Sequence, residues 1–194
     1  MMRRLAVLGI LYALAALAGG CASSPPLNFY TLSATAKPAT TTSNLSVAVG
    51  PVSVPAVVDR PEIVVSTGPN EVRLDEFNRW ASPLQDNLSR VISENLVAML
   101  GTPRVSIFPQ TASADANYRV AIEVQRFESM PGKAAMLDAI WSVRRMTDAK
   151  SQTGRTKVTE KVQDNSYDAL AAAHSRAVER LSQDIGDTIR AAEQ

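Results

Sequence analysis

The sequence contains one histidine and one cysteine, so chemistry that needs a pair of either is short of residues. A Ser-His-Asp set would have to use His174, and no G-x-S-x-G turn accompanies it. His174 follows Leu170 by four residues, which puts it beside the apolar stripe of a helix. A helix residue bordering the core is the expectation, with a catalytic or ligand role as the alternative. Metal sites built on paired histidines or cysteines lack the residues to form. Asp75 with Glu76, and Glu123 with Glu128, are spread along strands and loops without the spacing of an acid–base pair, so a solvated surface is expected for them. No P-loop or G-x-G-x-x-G cradle for phosphate occurs among the 9 glycines. No catalytic residue, metal or dissociable cofactor is therefore expected, and the one group left with chemistry to do is the thiol of Cys21.

Cys21 follows a stretch with a clear order: Arg3 and Arg4, then an apolar run from Leu5 to Leu17, then Ala18, Gly19 and Gly20. The run is shorter than the ~18 to 20 residues of a permanent membrane helix, so residues 1–20 read as a cleaved secretory signal peptide. Leu17 to Cys21 resemble the lipobox of bacterial lipoproteins. Small residues let a signal peptidase reach the backbone, and the thiol accepts a diacylglyceryl group, to which an N-acyl chain is added. The alternative is ordinary cleavage after an A-x-A-like site, leaving a free thiol. With no second cysteine to form an intramolecular disulfide in an oxidising compartment, the lipid is favoured. Saturated chains of the palmitate kind, each CH₂ adding about 0.8 kcal/mol when buried, would make a lasting membrane anchor. Ala22, where inner-membrane lipoproteins tend to carry Asp, points to the outer membrane, with the folded part facing the periplasm. Removal of residues 1–20 leaves 18 basic and 19 acidic residues. The basic excess of a nucleic-acid binder is missing.

The elements that position these residues follow from periodicity. Residues 21–44, rich in Ser, Thr, Pro and Ala, read as a lipidated flexible tether, interrupted by an apolar island at Leu27 to Leu32 that could dock as an edge strand. A single domain is expected over 45–194, opening with a strand in which Leu45, Val47 and Val49 alternate with polar or small residues. Glu62 to Ser66 and Glu71 to Leu74 flank Gly68, Pro69 and Asn70 as a hairpin. A helix is predicted over Pro83 to Leu100, with Ser82 and Gln85 as a capping box, Pro83 in its first turn and Gly101 as its stop. Arg104 to Phe108 reads as the next strand, with the helix as a crossover for parallel pairing. Tyr118 to Phe127, Met136 to Arg145 and a weaker Thr156 to Val162 read as an antiparallel meander turning at Pro131, Gly132 and Lys133. A last helix is predicted over Tyr167 to Ala192. The fold class expected is α+β, a mixed and mainly antiparallel sheet with two amphipathic helices on one face.

One stretch carries a resemblance: Val49-Gly50-Pro51-Val52, Val54-Pro55, Asp59-Arg60-Pro61-Glu62-Ile63-Val64, Asn70, and Arg79-Trp80-Ala81-Ser82-Pro83-Leu84. Together with Cys21 and Phe29-Tyr30-Thr31-Leu32, it resembles the ABC-type transport auxiliary lipoprotein family. The match covers the anchor and roughly the first half of the folded region; the second half agrees only in the order of strands and helices. The resemblance implies a non-catalytic accessory of an ABC-type lipid transporter, in the periplasm, whose partner is a protein of the mammalian-cell-entry (MCE) domain type. A homo-oligomer is a further expectation.

Four of the matched residues are candidates for partner binding. Arg60 precedes Pro61 and is pushed toward extended backbone, so Asp59, Arg60 and Pro61 form a stiff loop that either meets a partner or a neighbouring copy, or is fixed by a local salt bridge. Trp80 is either a core plug under the helix start, the default, or an interface anchor. Two other readings remain open: a domain that carries a lipid or other apolar ligand between sheet and helices, and a periplasmic hydrolase using His174 or a carboxylate pair.

Overall fold

The computed structural model describes residues 25–194; the stretch expected to be a signal peptide and Cys21 lie outside the described residues. The strands are β1 (Asn28–Tyr30), β2 (Val47–Ser53), β3 (Glu62–Gly68), β4 (Glu71–Trp80), β5 (Val105–Ile107), β6 (Tyr118–Met130), β7 (Ala134–Arg145) and β8 (Ser151–Lys161), with helices α1 (Leu84–Leu100) and α2 (Tyr167–Ala192). All eight strands share one sheet. β6, β7 and β8 form the expected antiparallel meander, while β2 and β3 both lie along the other edge of β6, parallel to it. β4 pairs antiparallel with β3, and β1 and β5 add short parallel strands outside β4 and β2. The fold is α+β with a mixed sheet that is antiparallel over most of its paired length, and it is not closed.

Strand alternation decides which face is covered. Tyr118, Val120, Ile122, Val124 and Phe127 of β6 and Leu137, Ala139, Trp141 and Val143 of β7 are all buried. Against them lie Leu170, Ala173, Ala177, Val178, Leu181, Ile185 and Ile189 of α2 and the Leu84, Leu88, Ile92 and Leu96 stripe of α1. The other face is mainly polar over β6, β7 and β8. There Asp138, almost wholly buried, accepts two hydrogen bonds from Arg155, Nε to Oδ1 and Nη2 to Oδ2, each 2.8 Å. These bonds, more than the nearby positive charges, hold its carboxyl below the usual carboxylate range.

Several expectations are corrected. The folded region does not begin at Leu45. β1 is an edge strand as expected, but residues 31–44 run along α1 and are not a free tether. Leu32 is buried; Thr35 and Ala36 N–H both donate to Asn95 Oδ1 at 3.1 Å; Ala39 N–H donates to the Ala98 carbonyl and Ser43 N–H to that of Gly101. Such a segment is held through its backbone, which composition does not reveal. The capping box does not form: Pro83, with ψ 135°, is itself the cap residue of α1 and has no side-chain bond, which leaves Ser82 one residue too early. By contrast, Ser166 caps α2 by accepting from Ala169 N–H at 3.1 Å. β5 pairs in parallel with β2 and not with β4, the strand just before the helix. Gly50 and Pro51 sit where the β2–β6 register shifts, so β2 continues past Val49 to Ser53.

The last strand begins earlier than Thr156, at Ser151, and Gly154 lies inside it opposite Trp141. A Cβ there would come within 2.2 Å of the indole ring, so the missing side chain is the space the ring occupies. Trp141 Nε1 in turn donates to Thr156 Oγ1 at 3.0 Å. Gly154→Val should displace the ring and cost about 1–3 kcal/mol, read as a lower urea midpoint with red-shifted tryptophan emission. A midpoint equal to wild type would show that the ring has other room.

Candidate functional site

The four candidate residues come together. The loop between β2 and β3 is coiled on itself, with Val58 and Asp59 N–H donating to the Pro55 carbonyl and Arg60 N–H to that of Val58. It is tied to the end of β4 by a 2.8 Å bond from Trp80 N–H to the Pro61 carbonyl, and Ala81 N–H donates to the Tyr30 carbonyl of β1. Between loop and strand end lies an open groove of about 410 Å³, lined by Asp59, Arg60, Pro61, Trp80, Ala81, Ser82 and Pro83. Ala81 and Pro83 were not singled out as site residues. Their signal was present, since both stand in the Arg79 to Leu84 stretch that carried the resemblance, but nothing local says that a strand end and a distant loop share a wall.

The two readings of Trp80 merge. The residue is 5% exposed, with its indole edge-on to Phe127 at 6.1 Å and to His174 at 6.2 Å. It is thus a core plug, and its exposed remnant helps line the groove. The salt bridge considered for the loop is not formed: among the described residues neither Asp59 nor Arg60 joins an ion pair. Arg60 Nε is buried and has no hydrogen-bond partner. An unpartnered buried donor costs about 1–3 kcal/mol, so an acceptor brought to this wall would relieve the cost.

The shape of β4 that delivers Trp80 depends on Asp75. One carboxylate oxygen accepts from the N–H groups of Phe77 and Asn78 and from the Asn78 amide, at 2.9–3.1 Å. Tyr30 donates to Asn78 Oδ1 at 2.9 Å, and Tyr167 of α2 donates to the other Asp75 oxygen. Burial pushes the Asp75 carboxyl up, but these bonds outweigh it and hold the group below its ordinary value. Burial, aided by the bond to Asp75, raises the Tyr167 hydroxyl. Asp75 is therefore part of the scaffold and not a solvated carboxylate. Glu76 is exposed, Glu123 accepts from Gln125, and Glu128 pairs with Arg126.

His174 is fully buried, stacked on Phe127 at 4.0 Å, with Nε2 2.8 Å from Ser129 Oγ. This Ser–His pair has no solvent access, and His174 Nδ1 has no partner, so no carboxylate orients the ring. Among the described residues no group of three or more His, Cys, Asp or Glu could hold a metal ion. No helix among them is long and apolar enough to cross a membrane. At about 410 Å³ the groove is at the small end of the ~300–1,000 Å³ range of ligand pockets. Its floor is an aromatic ring already committed to the core.

An open α+β sheet covered by helices on one side, with a shallow groove walled by a stiff loop, is a scaffold whose exposed chemistry suits contact. The chain belongs to the ABC-type transport auxiliary lipoprotein component family, whose model matches residues 30–186. By that membership it is an auxiliary component associated with an ABC transport system. Two crystal structures share the fold. A protein from Xanthomonas campestris superposes with a TM-score of 0.70 at 20% identity, covering 86% of this chain and 98% of that one. An uncharacterized protein superposes equally well, also at 20% identity, covering 85% of this chain and 99% of its own. No curated protein matches the sequence.

Burial lowers the His174 pKa to about 3. The unfolded chain takes a proton near pH 6.5 while the folded chain stays neutral, so stability is full above pH 6.5 and falls as pH drops through the window down to about 3. Between pH 7.5 and 5 the loss should be about 2 kcal/mol. Urea midpoints of wild type and His174→Gln check this. The variant should be less stable at pH 7.5 yet nearly flat over the interval, and an equal slope in both proteins would assign the acid sensitivity elsewhere.

Proposed function

We propose that this protein is a non-catalytic accessory of an MCE-type, ABC-driven lipid transport system. In this reading, diacylglyceryl and N-acyl chains on Cys21 hold it at the outer membrane, the folded region faces the periplasm, and it acts by docking the transporter's MCE-domain protein. The observation that carries the reading is the groove formed by Asp59, Arg60, Pro61 and the Trp80 to Pro83 segment. It is a stiff loop beside a helix start, with an unsatisfied guanidinium donor and an aromatic floor. Those features suit a protein segment that offers a backbone carbonyl or carboxylate to Arg60 and an apolar side chain to Trp80. Among the described residues the one Ser–His pair is sealed in the core, which supports contact over turnover. Self-association would leave the same groove as the contact to the transporter.

Two experiments test this proposal. A photoreactive group at Pro83 of the full chain in intact cells should crosslink an MCE-domain protein, and Arg60→Ala should reduce that capture several-fold. The same variant should be no less stable than wild type, because the lost side chain makes no ion pair and carries the unsatisfied Nε. Undiminished capture would overturn the assignment of the groove. Separately, Cys21→Ser should yield a folded protein absent from the outer-membrane fraction and unable to support transport-linked envelope resistance. Full resistance from that variant would overturn the anchor.

A further inference from the structure

The corner of the sheet formed by β1, β3 and β4 exposes an apolar surface that the groove does not use. Leu27 and Phe29 are 50% and 60% exposed, and Val72, Leu74 and Phe77 of β4 are exposed as well. Their register puts them on one face. Tyr30 turns inward, its ring 5.8 Å from that of Tyr167 on α2, so by alternation Phe29 and Leu27 point away from the helices. Phe29 lies opposite Arg79, which places Phe77, two residues earlier, on the same side. Val65, next to Ser129 of β6, belongs to the helix-covered face, so Val64 faces outward. Leu74 and Val72, opposite Val64 and Ser66, share that outward face.

The chain itself limits what can reach this corner. Five residues, and so six Cα–Cα steps, separate Cys21 from Leu27, a span of at most about 20 Å when extended, and Pro25 and Pro26 stiffen it toward that extended form. β1 runs parallel to β4, so the residues before Asn28 head back along the edge toward Glu71 and away from Trp80 and the groove. An acylated Cys21 lies at the base of the headgroup layer, which is itself roughly 6 Å deep. The corner is therefore held within reach of the bilayer and the groove end is turned from it.

We propose that the Leu27, Phe29, Val72, Leu74 and Phe77 corner is a lipid-docking face that sinks into the headgroup boundary of the membrane carrying the anchor. It orients the domain so that the Arg60 and Trp80 groove points into the periplasm. This rests on the acylation of Cys21 proposed above. Along β4, Arg73 and Arg79 stand against Glu71, Asp75 and Glu76, so there is no basic excess, and insertion is apolar in origin and draws nothing from anionic lipid.

The test uses the full lipidated chain reconstituted in phosphatidylcholine vesicles, with Phe29→Trp as the probe and the buried Trp80 and Trp141 as background. The introduced indole should emit further to the blue than it does in detergent-free buffer after the anchor is cleaved. It should also be quenched by brominated phosphatidylcholine, equally with and without anionic lipid. Leu74→Asp combined with Phe77→Asp should abolish the quenching while the protein still floats with the vesicles. A protein that floats but whose added indole stays red and unquenched overturns the docking face alone. A blue-shifted indole that no brominated lipid quenches means that a second copy covers the corner, which also overturns it. A wild-type chain that fails to float overturns the anchor, and the proposal with it.

Discussion

The apolar row on β6, from Tyr118 to Phe127, has to leave water, and the same face of β7 continues it. Only α1 and α2 are available to cover it, and they do so from one side. Once that burial is made, the remaining architecture has little freedom. The covered face becomes the core, and the strands added outside β6 have to keep their inward residues in line with the same row. Val47 opposite Tyr118 and Val49 opposite Val120 show that alignment.

The groove is a by-product of how the sheet ends. β4 follows β3 regularly until Asp75, whose carboxylate collects three N–H donors and lets the strand bend before Arg79 and Trp80. Trp80 then drops into the core against Phe127 and His174, and the backbone bond from Trp80 to Pro61 ties the loop to the strand end. A loop with no ion pair of its own is stiff because a buried aromatic and a half-buried carboxylate hold its neighbour. The stacked Phe127–His174 pair beneath it ties the same region to α2, so the floor of the groove shares the acid sensitivity of the core.

In the proposed reading the contacts fall at two ends of one edge. The Phe29 and Leu74 corner lies toward the start of the folded region, and the Arg60 wall lies where β4 gives way to α1. Such polarity, in that reading, separates the membrane-facing and partner-facing surfaces without a second domain. Nearer the centre of the open face Arg155 pairs with Asp138.

Periodic features were legible without a structure, because a stripe repeating every 2 or 3.6 residues is a local property. That includes α2 with its bounds, the meander and the fold class, whereas Asp59, Arg60, Pro61 and Trp80 were grouped only through the family resemblance. The exclusion of paired-histidine and paired-cysteine sites followed from counting alone. What tertiary structure alone decided is whatever depends on a distant partner. Residues 31–44 are held by Asn95 and the carbonyls at the end of α1, which no Ser-, Thr- and Pro-rich composition announces. Gly154 leaves room for the Trp141 ring inside β8, and Asp75 is a scaffold carboxylate because Tyr30 and Tyr167 arrive beside it. Hydrogen bonds and close contacts between residues far apart in the chain leave no period in the sequence, so the side-chain types were readable and their partners were not.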